Sequence, residues 1–183
     1  MPSASIDQNL ILTGYLGPGQ LAIARRVAER LRMPFVDFES ILEDRADLSG
    51  EELRIRFGEA RLKTLESELV TEVALYRGTV IHISGKTLMQ SSHYARLSET
   101  GPVICVVATL DAVLRRLHLA LGARYHNPIE RELAVGTLRR EWAIRKRAGI
   151  TEIDTSYLSE DQMVEAVAAC WREKSGVIDW RGV

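Results

Sequence analysis

The chain alternates short, nearly all-apolar runs with longer stretches in which apolar residues recur every three or four positions. Runs of the first kind cover residues 9–13, 33–37, 78–83, 102–108 and 150–154. Each is short and bounded by glycine, proline or polar residues, so each reads as a β-strand. The run at 102–108 is apolar almost without interruption, which predicts a strand covered on both faces, as in a parallel sheet. Behind the first run, Leu21, Ala24, Val27, Ala28 and Leu31 share one helical face. Residues 51–76 read as helix with a break near Phe57 and Gly58, and a further helix runs from about 86 to 97. Helices are also predicted over 111–121, 130–148 and 159–174, the last capped by Ser159 with Gln162 in the capping-box place. Residues 122–128 break the pattern and read as a loop. Strands alternating with helices predict an α/β fold: a five-stranded parallel sheet with right-handed crossovers and helices on both faces.

With 183 residues the chain can bury one sizeable core, so a single domain over 1–176 and a peripheral tail over 177–183 are expected, with Trp180 able to pack back. Apolar residues make up 46% and charged residues 27%, with a net charge of −1, so no global field favours nucleic acid or an acidic membrane. No apolar run is long enough for a bilayer, and the polar start of the chain lacks the apolar core of a signal peptide. Cys105 and Cys170 lack metal-ligand spacing, and reduced structural thiols are expected. The expected setting is cytoplasmic. A monomer is expected, with a protein partner left open.

The chemistry concentrates at residues 14–21. Gly14 and Gly19 keep the spacing of a phosphate-binding loop, with Gly17 between them, and the flanks supply the strand and the helix that such a loop requires. The loop's backbone device for an anion is present. Its two chemical side chains are not: Gln20 stands where the lysine belongs, and Leu21 where a hydroxyl would hold magnesium. The other reading of the stretch is an ordinary strand–helix turn.

Taken in order, the landmarks resemble shikimate kinases over nearly the whole chain, from about residue 9 to 171. The loop and its helix look like the family's nucleotide-binding start. Pro34, Phe35, Asp37 and Glu39 resemble its Pro-Phe-x-Asp-x-Asp segment, whose first Asp helps hold magnesium and whose second touches the substrate hydroxyls. Phe57, Glu59, Lys63 and Glu66 resemble Phe-x-Glu-x-x-Phe-Arg-x-x-Glu, with Lys63 where an Arg would grip the substrate carboxylate. Ser84, Gly85 and Lys86 stand where the family has a glycine run beside the acceptor. Asn127 and Pro128 stand where its lid, here residues 122–130, carries Arg-Pro-Leu. Asp154 and Thr155 keep the late Asp-Thr whose backbone lies along the adenine, and Arg140 matches a second carboxylate-binding Arg.

The resemblance implies a P-loop kinase fold with ATP and magnesium as cofactors and a place in aromatic amino-acid biosynthesis. Residues 33–76 then form the substrate-side helical region. Asp37 and Lys86 are the catalytic candidates, and Asp37 is also the metal ligand. Gly14, Gly17, Gly19, Gln20, Asp154 and Thr155 are the nucleotide-binding candidates. Glu39, Lys63, Gly85 and Arg140 are those for a shikimate-like small molecule.

Phosphoryl transfer is chiefly positioning and neutralisation of charge on the moving group. Gln20 brings no charge, Leu21 no metal ligand, and Asn127 no cation. The expectation is therefore a protein with impaired catalysis that keeps a ligand cleft. The alternative is an active kinase in which Lys86, Arg124 and His126 replace the lost cations. A third is a partner-binding domain with an unused cleft. Bland roles stand beside the sharp ones: Asp37 and Glu39 as a helix cap, Lys63 and Lys86 as surface lysines. His82 and His118 are expected to be structural, His82 as a satisfied core histidine. The cluster of Arg139, Arg140, Arg145, Lys146 and Arg147 reads as a solvated helix face.

Overall fold

Five parallel strands form the sheet, in the order β2-β3-β1-β4-β5. They are β1 (Leu10–Gly14), β2 (Phe35–Asp37), β3 (Val80–His82), β4 (Val103–Val107) and β5 (Thr151–Asp154). The structure is a computed structural model that describes residues 7–176. The tail over 177–183, with Trp180, lies outside the described residues. So do the side chains of Arg124 and Lys146. Every strand run expected from the apolar pattern is present, shorter by one or two residues at one or both ends, except that β1 is shifted by one, to end at Gly14.

The helices are α1 (Gln20–Leu31), α2 (Phe38–Ala46), α3 (Gly50–Phe57), α4 (Glu59–Val73), α5 (Gly85–Leu88), α6 (Ser91–Ser98), α7 (Leu110–Leu121), α8 (Pro128–Trp142) and α9 (Glu160–Ser175). The break expected near Phe57 is real: Gly58, at φ +83°, separates α3 from α4. The capping box of Ser159 and Gln162 forms as expected, and a second joins Ser49 to Glu52. Two expectations are corrected. The helix over 86–97 is two helices, because Gln90 turns out of helical geometry and caps α6. The helix over 130–148 starts at Pro128 and ends at Trp142, and a 3₁₀ turn follows over Ala143–Lys146. The lid stretch holds a 3₁₀ turn at Gly122–His126.

β1 is buried at every position and sits in the middle of the sheet. Its alternate residues feed two cores. Leu10 and Leu12 pack with Ile23, Val27, Val167 and Trp171, between the sheet and α1 and α9. Ile11 packs on the other face with Phe38, Leu69, Ile81 and Leu97. This is the period-two rule of a sheet covered on both sides.

Asn9 locks the entry to β1. Its Nδ2 donates to the Tyr76 carbonyl at 2.8 Å and to Thr100 Oγ1 at 3.1 Å, and its Oδ1 accepts from the Thr79 N–H at 3.0 Å. The side chain is fully buried. Asn9→Ala leaves these groups without partners, so a loss of about 3 kcal/mol is expected. Urea denaturation measures it. A loss below about 0.5 kcal/mol would show that the amide carries no such role.

Candidate functional site

The carboxyl ends of β1, β2 and β3 converge, as ligand sites do in open parallel sheets. β1 runs into the loop at Gly14, where φ is +106°. Gly17 and Gly19 also have positive φ, at +104° and +90°. The loop therefore has the glycine-dependent bends that its sequence spacing requires. Gly19 caps α1, and Gln20 is the first helical residue.

Gln20 does not extend into solvent. Its Oε1 accepts from the Leu16 N–H at 3.1 Å, and its Nε2 donates to the Gly14 carbonyl at 2.8 Å. The amide closes the loop on itself and uses a backbone N–H of the loop.

The same Nε2 lies 3.1 Å from His82 Nε2. An amide nitrogen only donates, so this histidine nitrogen accepts. His82 Nδ1 then carries the proton, donated to Asp37 Oδ1 at 2.6 Å. Asp37 and His82 are direct neighbours in the β2–β3 register. Asp37 Oδ2 accepts from the Ser40 N–H and hydroxyl, which caps α2. Burial opposes ionisation of Asp37, but the bonds from His82 and Ser40 outweigh it and hold the carboxyl below the usual range. The helix-cap reading of Asp37 is thus met. His82 is satisfied at both ring nitrogens, as expected, and mostly buried, but its partners are Asp37 and the loop residue Gln20.

Glu39 Oε1 accepts from the Ser84 N–H at 2.9 Å. Beside it, Glu141 takes the N–H of Gly85. Burial pushes both carboxyls up from the usual range. Gly85 has no room for a side chain, since a Cβ would fall 2.2 Å from the Glu141 carbonyl oxygen. At the stretch that resembles the family's glycine run beside the acceptor, the chain's own carboxylates take the backbone N–H groups of Ser84 and Gly85. Sequence reasoning missed Glu141, which looks like one more charge on a charged helix.

Lys86 is exposed, and its charge acts on Glu51 and Glu66, on the substrate-side helices. Arg140 acts on Glu51 as well and bonds Thr137 Oγ1 at 3.3 Å. Lys63 lies exposed on α4, and no described contact joins it to Asp37 or Gln20. Asn127 caps α8, its Oδ1 accepting from the Ile129 N–H at 3.0 Å. Thr155 is fully buried, tied to the Val107 carbonyl through its N–H at 2.8 Å and its hydroxyl at 2.9 Å. Asp154 Oδ1 turns back to the Ser156 N–H and hydroxyl.

Arg116 was also missed. It donates to the Leu16 carbonyl at 3.2 Å and to the Thr155 carbonyl at 2.5 Å, strapping the loop to the end of β5. It lines a cleft of about 470 Å³ with Leu16, Gly19, Gln20, Ile23 and Leu158. A hollow of about 600 Å³ lies elsewhere, at the amino end of the sheet, lined by Asp7, Arg77, Arg96 and Glu99 and far from the loop.

The shikimate kinase family model matches residues 17–171. The chain belongs to the shikimate kinase family. Shikimate kinase of Geobacter sulfurreducens is 28% identical over 176 residues, covering 94% of this chain and 96% of that protein. Among solved structures, shikimate kinase from Bacteroides thetaiotaomicron superposes with a TM-score of 0.71 at 23% identity, over 91% of this chain and 97% of that one. The shikimate kinase from Acinetobacter baumannii, solved in complex with shikimate, gives a TM-score of 0.65 at 17% identity, over 91% and 92%. These likenesses carry the P-loop kinase fold expected from the sequence. Among the described residues no helix is long and apolar enough to cross a membrane.

The family implies magnesium held with a nucleotide. The residues of this chain do not fit that ion. Position 21 is leucine, with only carbon to offer where the loop's hydroxyl would hold magnesium, and the cluster around Asp37 includes the imidazole of His82 rather than oxygen donors alone. Magnesium requires near-ideal octahedral oxygen coordination.

Proposed function

We propose that this member of the shikimate kinase family is a pseudoenzyme: it keeps a cleft for a nucleotide or anion but has lost phosphoryl transfer. The observation that carries the reading is the Gln20 amide folded into the loop, bonded to the Leu16 N–H and the Gly14 carbonyl. An incoming phosphate must displace a neutral side chain from the loop and gains no charge in return. Three further features agree. Leu21 supplies no metal ligand. Asn127 is committed to capping α8. Glu39 and Glu141 place negative charge at the backbone N–H groups beside the acceptor position.

An arginine at the transferring phosphate is worth on the order of 10³–10⁵ in rate. Each factor of ten is about 1.4 kcal/mol. Losing it together with the loop lysine and the metal ligand puts turnover below detection. In this reading ATP binds weakly at Gly14, Gly17, Gly19 and Gln20, with Asp154 and Thr155 shaping the far wall. Any shikimate-like ligand sits near Glu39, Lys63, Gly85 and Arg140.

A coupled ADP-release assay with ATP, magnesium and shikimate tests the proposal, beside calorimetry with and without magnesium. The expected results are no ADP above background and weak ATP binding that magnesium does not strengthen. Turnover would sink the reading. Turnover abolished by Lys86→Ala would instead establish the active-kinase reading, with Lys86 as the substitute cation.

A further inference from the structure

Asp37, Glu39 and His82 bring two carboxylates and an imidazole together at the carboxyl ends of β2 and β3. One ligand atom from each lies within 4.8 Å of the others, and the side chains of His82 and Asp37 are mostly buried. We infer that these residues bind a transition-metal dication, zinc being the reference case, directly and without nucleotide. The donor set selects the ion. Imidazole nitrogen suits zinc and cobalt(II), whereas magnesium takes oxygen donors. Three protein ligands rather than four match the open kind of zinc site rather than the closed structural kind.

The ligands are held in place from outside. The β2–β3 register sets Asp37 beside His82. Ser40 fixes Asp37, and Ser84 fixes Glu39. Such outer partners are what usually hold metal ligands in position.

The local charge asks for a cation. No lysine or arginine ion pair to Asp37 or Glu39 occurs among the described residues, and Glu141 adds a third carboxylate that acts on His82. Two carboxylates and a neutral imidazole carry a charge that a dication cancels.

Binding has a defined consequence in the loop. Nδ1, which faces Asp37, takes the ion, and its proton passes to Nε2, so the imidazole stays neutral. Nε2 then donates and can no longer accept from Gln20. The ion thereby frees the Gln20 amide from His82 and loosens the closure of the loop. This inference stands apart from the pseudoenzyme reading, since it needs neither nucleotide nor turnover.

Calorimetry of the full chain with zinc chloride, and separately with magnesium chloride, tests it. Long-range nitrogen–proton spectra of the histidine rings accompany the titrations. The expected result is one equivalent of zinc bound, at least tenfold more tightly than magnesium, with His82 changing tautomer. His82→Gln and Glu39→Gln are each expected to weaken zinc at least tenfold. If His82→Gln fails to fold, Glu39→Gln, which keeps the side-chain shape, carries the test. No zinc binding at tens of micromolar protein would overturn the inference. So would zinc binding that survives both substitutions, as it would at His118 and His126, whose rings lie 5.8 Å apart.

Discussion

Gln20→Lys combined with Leu21→Ser is expected to strengthen ATP binding by roughly 10- to 100-fold and to make it magnesium-dependent. The range follows from a hydrogen bond to a charged group, about 1.5–3 kcal/mol, at about 1.4 kcal/mol per factor of ten. Lysine at position 20 adds the missing charge and removes the Oε1 that now accepts the Leu16 N–H. That N–H becomes available to phosphate. Serine at 21 restores an oxygen for magnesium. Leu21 is already 36% exposed, so its replacement removes little core. The glycine bends at 14, 17 and 19 are in place, so the anion cradle needs no rebuilding. Calorimetry on the folded double variant measures the gain. An unchanged affinity would mean that the loop has left its phosphate-binding shape, and the pseudoenzyme reading would then lose its cleft.

Gly14→Ala is expected to cost the fold about 4 kcal/mol, near the top of the range for a single substitution. A Cβ at this position would lie 2.1 Å from the Val106 carbonyl oxygen and 2.8 Å from its nitrogen. Both are backbone atoms of β4, the strand that pairs with β1 through this residue. Neither can move without opening the middle of the sheet, and the positive φ adds strain of its own. Gly19→Ala is the control. Its φ is also positive, at +90°, but nothing lies within 4 Å of the added carbon. Only the conformational term applies there, about 1–2 kcal/mol. Urea denaturation of both variants measures the difference. Equal losses would show that close approach to β4 does not constrain Gly14.

Most of the architecture was legible because burial is periodic and periodicity is local. The strand runs, the face of α1 apart from the exposed Leu21, the break at Gly58 and the cap at Ser159 each depend on residues a few positions apart. The loop was legible for the same reason, since its spacing and flanks lie within one strand–turn–helix unit. The boundaries inside residues 86–97 and 130–148 were not. There Gln90 leaves helical geometry and the chain tightens into a 3₁₀ turn from Ala143, with no glycine or proline to mark either place.

The site divides along the same line. From the residues alone came the parallel sheet, the phosphate-loop geometry and the absence of a lysine and a hydroxyl at positions 20 and 21. Asp37 and Glu39 were marked as site residues by resemblance to the family. Only the tertiary structure decided what fills the vacated positions. His82 looked like a core residue because strand alternation records which face a side chain is on, not which strand lies beside it. Its partners are 45 and 62 residues away. Glu141 meets Gly85 across 56 positions, and Arg116 reaches Leu16 across 100. A hydrogen bond between side chains that far apart leaves no spacing to read. It exists because β2, β3 and β1 lie in that order with their carboxyl ends together.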